Sequence, residues 1–195
     1  NEARRMGATI ELPCVNNSQK VTCIRGKTIY LGFVHIMHLE QAVTDKIVNA
    51  RDAGGPYRSL TNFIERTRIT KEQLIILIRT GALRFTGKEK KHLLWEAHFY
   101  LRRMLKDTDT PLMFRSQRQK DNQLPEFKHN IIEDAYDEIE LFGFPVSMSS
   151  FDMLQTGFRG EIQADGLSGK AGTTVRMVGQ LVTTKYVWTV KKEIM

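Results

Sequence analysis

The spacing of apolar residues changes along this chain, and the change predicts where strands and helices lie. Residues 7 to 31 hold three short β-prone runs, ATIELPCV, KVTCI and KTIYL, separated by the turn-forming NNSQ and RG. These runs predict a strand pair or a small meander. From residue 33 onward the apolar positions follow helical spacing instead.

The stretch HLEQAVTDKIVNARDAGG, residues 38 to 55, carries one apolar face. Leu39, Val43, Ile47 and Ala50 recur at three- and four-residue intervals, and a glycine pair follows. This spacing is typical of an amphipathic helix, and glycine often follows the last residue of a helix.

Capping residues mark the starts of three further helices. The helix-starting residues are Ser59, the pair Thr70 and Gln73, and the pair Thr86 and Glu89. Each pair has the spacing of a capping box. Gly81 is predicted to end the helix that Thr70 starts. Residues 33 to 106 are thus expected to form a compact domain of four helices joined by short turns.

The second part of the chain has a different pattern. Residues 107 to 129 are polar and without period, which predicts a linker. A helix in NIIEDAYDEIELFGF is expected to turn its apolar residues inward and its acidic residues to solvent. The apolar residues are Ile131, Ile132, Ala135, Ile139 and Phe142, and the acidic ones are Glu133, Asp134, Asp137, Glu138 and Glu140. The alternating TTVRMVGQLVTTKYVWTV then predicts strands, so the fold class is α+β.

The charge is divided unevenly between the two parts. Residues 1 to 120 hold 22 Lys and Arg against 11 Asp and Glu, and residues 121 to 195 hold 7 against 11, which gives +11 and −4 and agrees with the total of +7. A basic first part is a candidate binder of a polyanion. A solvated basic surface without a partner explains the charge equally well.

Known catalytic and metal-binding motifs are missing from the sequence. There is no P-loop, GxGxxG, GxSxG or HExxH motif, and no Cys/His cluster with metal-ligand spacing. Cys14 and Cys23 are expected to be reduced, with a hairpin disulfide as the alternative. His35 and His38 lack a carboxylate partner. No run of about 18 apolar residues exists, so no transmembrane helix is predicted and the cytoplasm is the expected compartment.

Two turns between helices can present backbone N–H groups and a helix N-terminus to a phosphate. One is VHIMHLEQ, and the other is IRTGALRFTGKEKK. The second is the stronger candidate because cations surround the start of a new helix there: Arg79, Arg84, Lys88, Lys90 and Lys91. The alternative is an ordinary helix start with exposed lysines.

Four stretches in this order carry a resemblance to a known family: GATIELPCVNNS, ARDAGGPYRSLTNFIERT, LIRTGALRFTGKEKKHLLWEA and ELFGFPVS. The chain resembles, nearly end to end, the alpha subunit of bacterial replicative DNA polymerase III, a C-family DNA polymerase. The most specific pieces are Pro13-Cys14-Val15-Asn16 with Ser18, Ala50-Arg51 before Gly54-Gly55, and Leu77-Ile78 before Gly81-Ala82.

The resemblance implies an organisation in five parts. Residues 1–32 correspond to the end of the fingers, 33–106 to a tandem helix-hairpin-helix domain that holds duplex DNA, and 107–129 to a linker that tethers the sliding clamp. Residues 130–155 form an acidic helix and connection, and 156–195 begin an OB-fold. The chain, which opens in NEARRMGATI and stops in TVKKEIM, is interpreted as a fragment. The palm domain, with its Mg²⁺-binding aspartates, would lie upstream.

The resemblance also gives a role to an apolar group in the polar linker. In the family, the linker carries a clamp-binding peptide with a glutamine, then two residues, then Met or Leu and Phe. TPLMF occupies this place, with Thr110 where the family has glutamine and Leu112, Met113 and Phe114 as the apolar end. The alternative is that these residues pack onto the helical domain.

The first hairpin departs from the family, which places glycines around an apolar residue there. This chain has His38, Leu39 and Glu40. A β-carbon and a carboxylate are expected to weaken phosphate binding at this point. DNA contact is therefore predicted to depend on the second hairpin, with His38 as a lesser contact.

The resulting functional hypothesis is a noncatalytic part of a DNA polymerase that binds duplex primer–template DNA without sequence preference. Tyr186 and Trp188 lie two residues apart and could stack bases of single-stranded template in a complete OB-fold. The resemblance adds the sliding clamp and other replicase subunits as partners and the bacterial nucleoid as location. No cofactor is predicted for these residues themselves, and no membrane contact. The alternative is a protein-interaction scaffold without direct DNA contact.

Overall fold

The computed structural model describes residues 2–107 and 130–181, and these divide between two compact units, Asn1–Ser147 and Met148–Met195. The first unit opens with a short helix, α1 (Glu2–Arg5), and three strands, β1 (Thr9–Glu11), β2 (Cys23–Arg25) and β3 (Thr28–Tyr30). Helices follow: α2 (Gln41–Gly54), α3 (Leu60–Thr67), α4 (Lys71–Arg79), α5 (Lys90–Asp107) and α6 (Ile131–Phe142). The predicted α+β class, mainly helical with a small N-terminal sheet, is confirmed.

The sheet is not a meander. Its strand order is β1-β3-β2, with β1 parallel to β3 and β2 antiparallel to β3. The segment between β1 and β2 contacts the helices and does not lead directly into a neighbouring strand. Arg51 on α2 holds it there by donating hydrogen bonds to the carbonyl oxygens of Val15 and Ser18. The edge of β1 is therefore left for β3. Both cysteines are free, as expected for reduced thiols.

Local capping fixes several helix ends as predicted. The Ser59 hydroxyl accepts from the Asn62 N–H at 3.1 Å and starts α3. The chain leaves α4 through Gly81, whose φ of 72° is the left-handed conformation that glycine adopts without strain. The Gly81 N–H donates to Ile78 and the Ala82 N–H to Leu77, which is the Schellman pattern of a helix end.

Two predicted helix starts are wrong, and one predicted capping box is only half made. The first helix begins at Gln41 and not at residue 38, because His38 has a φ of 64° and cannot continue a right-handed helix. Thr70 caps α4, but the Gln73 side chain bonds elsewhere and the reciprocal half of the box is not made. Thr86 lies in a 3₁₀ turn, Arg84–Thr86, and α5 begins four residues later.

The core of the first unit lies between the helices. Phe33, Phe63, Leu77 and Ile78 are among its fully buried side chains. Each such side chain contributes about 1.5–3 kcal/mol through burial. Val15, from the segment after β1, lies in the same cluster, so the N-terminal segment and the helices share one core.

The second unit is described as far as residue 181. Between residues 148 and 181 it contains a 3₁₀ helix, Ala164–Lys170, and one antiparallel bridge between Gly160 and Met177. Arg176 Nε lies 2.7 Å from Glu161 Oε1 and supports this bridge. The predicted strand pattern begins at residue 173, but residues 173–181 form no strand and contribute only the bridge at Met177. The remaining predicted OB-fold strands lie outside the described residues, and the OB-fold stays a prediction.

Candidate nucleic-acid interface

The second hairpin turn connects α4 to α5 and is held on the N-terminal segment. The Val15 N–H donates to the Ala82 carbonyl at 3.0 Å, and Arg84 donates to the Pro13 carbonyl at 2.7 Å. Gly87, with a φ of 69°, then turns the chain into the first residues of α5. The turn thus presents the N-terminus of an 18-residue helix at a fixed corner.

Arg79, at the end of α4, is bound by two carboxylates of α6. Its Nη2 lies 2.7 Å from Asp137 Oδ1 and 2.6 Å from Glu140 Oε2, and its Nη1 donates to Glu140 Oε1 at 3.0 Å. The hydrogen bonds with Glu140 and then Asp137 raise the pKa of Arg79, and its partial burial opposes them. The bond from Arg79 in turn lowers the pKa of Glu140. Arg79 is therefore a fixed cation whose guanidinium faces α6.

The two lysines in the first turn of α5 also pair with α6. Lys90 Nζ lies 2.9 Å from Asp134 Oδ1 and 3.7 Å from Asp137 Oδ2. Lys91 Nζ lies 2.7 Å from Glu133 Oε2. These lysines and the α6 residues Glu133, Asp134 and Asp137 together line a cavity of about 200 Å³.

The other two predicted cations pair with carboxylates outside α6. Arg84 Nη2 lies 3.1 Å from Glu11 Oε2 on β1. Lys88 Nζ lies 2.6 Å from Glu96 Oε2 on α5. All five basic residues proposed for DNA are thus ion-paired, and three of them pair with α6.

The predicted orientation of α6 is partly wrong. Ala135 and Phe142 are buried as expected, but Ile131, Ile132 and Ile139 are exposed. Asp134 and Asp137, predicted to be solvated, face Arg79 and Lys90, and Glu138 is 1% exposed. The cations of the hairpin corner attract the acidic side of the helix. This electrostatic attraction outweighs the free energy that full burial of the isoleucines would contribute.

The turn of the first hairpin is braced from two sides. The Gln73 side chain accepts from the Glu40 N–H at 3.0 Å and donates to the His38 carbonyl at 3.1 Å. The Met37 N–H donates to the Leu141 carbonyl at the end of α6 at 2.7 Å. His38 itself is exposed, in the left-handed conformation that suits glycine. The N–H groups of Met37 and Glu40 are therefore bonded within the protein.

The residues that carry the family resemblance near the N-terminus form a structural network. The Ser18 hydroxyl accepts from the Cys14 N–H at 3.0 Å. Asn16 exchanges two hydrogen bonds with the Tyr57 backbone, at 2.9 and 2.7 Å. Arg51 completes the network through its bonds to Val15 and Ser18. These residues hold the N-terminal segment on the helices and do not form a reactive site.

Two positioning residues were missed by sequence reasoning. Gln73 was interpreted as a capping residue, although it links both hairpins. Glu138 was counted among solvated acids, yet its Oε2 accepts from the Val146 N–H at 2.6 Å and the Ser147 N–H at 2.8 Å. The only signal for Glu138 was the Pro–Val–Ser turn that follows the helix, where N–H groups need acceptors.

Several predicted site residues lie outside the described residues: Thr110, Leu112, Met113, Phe114, Tyr186 and Trp188. Across residues 2–107 and 130–181, no group of three or more His, Cys, Asp or Glu could hold a metal ion. In the same ranges, no helix is long and apolar enough to span a membrane.

Comparison with known proteins gives one family and several relatives. Residues 7–93 match the helix-hairpin-helix motif family. The error-prone DNA polymerase of Mycobacterium tuberculosis (strain H37Rv) is 34% identical over 98 residues, which cover 49% of this chain and 9% of the relative. The error-prone DNA polymerase of Mycolicibacterium paratuberculosis is 31% identical over the same length and shares. That of Nocardia farcinica is 31% identical over 83 residues, or 42% of this chain and 7% of the relative.

The matched region contains the sheet, both hairpins and the first turn of α5. The family match and the helical hairpins of the structure therefore cover the same residues. The chain corresponds to less than a tenth of the length of the relatives. These matches agree with the resemblance that the motifs indicated: the chain is similar to error-prone DNA polymerases over about half of its own length, and its residues 7–93 match a helix-hairpin-helix motif.

Proposed function

We propose that this chain is the part of a C-family DNA polymerase that holds duplex DNA through its sugar–phosphate backbone. The observation that carries the proposal is the helix-hairpin-helix match over residues 7–93, which includes the turn from α4 to α5 and its cations. The relatives are named error-prone DNA polymerases, which supports DNA as the ligand.

The proposed contact does not depend on DNA sequence. The N-terminus of α5 carries a partial positive charge from the helix dipole, which favours a phosphate. Lys88 and Lys91 have side chains that are 46% and 39% exposed and would add charge at the edge of this corner. Phosphate contacts of this type position the duplex without reading its bases.

Nucleotidyl transfer belongs, in this proposal, to the whole polymerase. The chain matches only 9% of the length of its relatives, and we assign the stretch itself a noncatalytic role. The Mg²⁺ that the resemblance implies would be held in the palm. Because its substrate is DNA, the whole polymerase would be located in the cytoplasm at the nucleoid. It would associate there with other replicase subunits.

Residues 110 to 114 are proposed to bind the sliding clamp. Met113 and Phe114 would each contribute about 1.5–3 kcal/mol if fully buried in a pocket of the clamp. A peptide of residues 106 to 118 should bind the cognate clamp, and the same peptide with Met113→Ala and Phe114→Ala should not. Failure of the unmodified peptide to bind at high micromolar concentration would remove this part of the proposal.

Tyr186 and Trp188 are proposed to stack bases of single-stranded template in the complete OB-fold. Aromatic side chains stack on any base, so sequence tolerance is expected. Titration of the whole polymerase with oligothymidine should show weaker binding after Tyr186→Ala and Trp188→Ala. Unchanged affinity would exclude this contact.

The main test is a titration of the 195-residue chain with a short primer–template duplex at two salt concentrations. The variant with Lys88→Gln, Lys90→Gln and Lys91→Gln should bind more weakly, and its log–log salt slope should fall in magnitude by about 2.7, since each phosphate contact contributes about 0.9. The control with Lys20→Gln, Lys27→Gln and Lys46→Gln loses the same charge elsewhere. Equal affinity and slope for both triple variants would refute the proposed DNA contact.

A protein-interaction scaffold is the second candidate, and one observation favours it. All five proposed DNA-binding cations have a carboxylate partner within 3.1 Å. A scaffold of this type would bind no duplex, at low salt or at high salt. Salt-dependent duplex binding by the wild-type chain would exclude a function without DNA contact.

A further inference from the structure

The carboxylates of α6 occupy the cations that the proposed function assigns to DNA. Arg79, Lys90 and Lys91 supply three positive charges, and Glu133, Asp134, Asp137 and Glu140 supply four negative ones. The closest N–O distances lie between 2.6 and 2.9 Å. Arg79 makes charge-assisted hydrogen bonds at this range, whereas Lys90 Nζ is ion-paired without a hydrogen bond to any described residue. A phosphate oxygen takes a similar distance from a lysine or arginine nitrogen.

The position of α6 matches that of a phosphate ligand. The cavity of about 200 Å³ is lined by the cations Arg79, Lys90 and Lys91 and by the acids Glu133, Asp134 and Asp137. Lys90 and Lys91 lie in the first turn of α5, where the helix dipole attracts negative charge. Acidic side chains therefore occupy the place where a DNA backbone would receive the most favourable interactions.

The two ends of α6 are held differently. At its C-terminal end, Leu141 and Phe142 are 2% and 4% exposed, and Glu138 bonds to the residues that follow the helix. At its N-terminal end, Ile131 and Ile132 are 52% and 42% exposed. The Glu133–Lys91 pair there has side chains that are 54% and 39% exposed. Glu140, further along α6, is also 61% exposed in its pair with Arg79. Exposed ion pairs contribute little to stability, so a polyanion can compete first for the partners of Glu133 and Glu140, while Leu141 and Phe142 keep the C-terminal end of α6 anchored.

We infer that α6 is an internal mimic of the DNA backbone, whose carboxylates compete with phosphates for Arg79, Lys90 and Lys91. This inference rests on the proposed function, because it concerns the regulation of the same corner. The competition lowers the affinity for duplex DNA. It also favours DNA over small anions, since only a polyanion engages all three cations at once and displaces several carboxylates together.

The test compares two variants of the 195-residue chain that each lose two negative charges. Glu133→Gln with Asp137→Asn removes three ion pairs, Glu133–Lys91, Asp137–Arg79 and Asp137–Lys90. We expect the Kd for a short duplex to fall by about tenfold, because each pair is individually weak and three are lost together. Asp45→Asn with Asp165→Asn changes the net charge equally at exposed residues that are not part of α6 and should change the Kd by less than about twofold.

A further variant tests whether any gain in duplex affinity depends on Lys90. Lys90→Gln in the Glu133→Gln/Asp137→Asn background should cancel most of the gain in affinity, because Lys90 is one of the released cations. Circular dichroism and thermal unfolding verify that each variant is folded. If the double variant does not fold, Glu140→Gln alone serves as the test, since Glu140 lies on the exposed edge of the contact, and a smaller gain in the same direction is expected.

The outcomes separate the inference from the proposed function. If the wild-type chain binds duplex through Lys88, Lys90 and Lys91 but the α6 variant gains no more than the control, the inference is wrong and the function stands. If the wild-type chain binds no duplex and the α6 variant binds through Lys90, the inference is supported. If none of the chains binds duplex, both are wrong.

Discussion

Arg79 Nη2 lies 2.7 Å from Asp137 Oδ1, and this pair joins the end of α4 to the middle of α6 across 58 residues of sequence. Both side chains are more than two-thirds buried, so the pair is only partly screened by solvent. Because Glu140 binds the same guanidinium, the contact fixes α6 against the second hairpin. The corner predicted to be basic is thus balanced by the acids of a distant helix.

Replacing Arg79 should destabilise the first unit. Arg79→Gln removes a bidentate contact with Glu140 and the contact with Asp137, and the free energy of unfolding should fall by about 1 kcal/mol. Urea denaturation measures it. Lys88→Gln, which breaks only the Lys88–Glu96 pair, should change it by less than about 0.5 kcal/mol. Equal effects of both variants would contradict the role given to Arg79.

Acid should weaken the contact between Glu140 and Arg79. The hydrogen bond from Arg79 lowers the pKa of Glu140 below its ordinary value of 4.5. The stabilisation is therefore fully present above pH 4.5 and is lost as the pH falls through the lower, folded-state pKa. Denaturation at a series of pH values between 7 and about 3 should show a smaller acid-dependent loss for Glu140→Gln than for the wild type. Superimposable pH profiles would disprove this coupling.

Strong base should destabilise the core through Tyr57. Burial raises the pKa of Tyr57 above 10.0, with Arg66 and Arg51 opposing the shift. The stabilisation is complete below pH 10.0 and is lost as the pH rises through the folded-state pKa. Tyr57→Phe should remove this alkaline loss, and it should cost about 1 kcal/mol at neutral pH because the hydroxyl no longer donates to the Ile47 carbonyl.

The control for Tyr57 is Tyr136→Phe, since Tyr136 is 62% exposed on α6. Its alkaline profile should match that of the wild type. If Tyr57→Phe lost stability above pH 10 as steeply as the wild type, another group would account for the alkaline transition.

Substitution of Arg51 should destabilise the first unit more than most other substitutions. Arg51 is 7% exposed, and its Nη1 donates to the Val15 and Ser18 carbonyls at 3.1 and 2.6 Å. Arg51→Met leaves both carbonyls without this donor, and the free energy of unfolding should fall by about 3 kcal/mol. Lys46→Met, on the exposed side of the same helix, should change it by less than about 0.5 kcal/mol. A small effect at Arg51 would show that the other hydrogen bonds and the packing of the N-terminal segment hold it without Arg51.

Replacing His38 with glycine should stabilise the first unit. The φ of 64° at His38 is costly for a residue with a β-carbon. His38→Gly relieves this strain, and after the larger chain entropy of unfolded glycine is subtracted the gain should be about 0.5 kcal/mol. His98→Gly, in the middle of α5, should instead cost about 1 kcal/mol. A loss at both sites in thermal unfolding would mean that the His38 side chain makes a favourable contact.

The sequence predicts which basic residues belong to the candidate site, but not which acidic residues they pair with. Arg79, Lys90 and Lys91 were identified from charge at a helix start, and the structure does bring them to one corner. Their ion pairs were not foreseen, because the partners lie about 40 to 60 residues further along the chain. Charge complementarity across such a distance depends on how the helices pack, and no local pattern records it.

By itself, the sequence determined the helical domain and several of its boundaries. Ser59 and Gly81 act through hydrogen bonds and backbone conformations within a few residues, so local chemistry is enough to start one helix and end another. The tertiary structure alone decided the strand order and the inward side of α6. Arg51 draws the segment after β1 onto the helices, and Arg79 and Lys90 attract acids that the hydrophobic pattern had assigned to solvent. These choices depend on contacts between residues far apart in sequence, where charge pairing and core packing compete for the same surface.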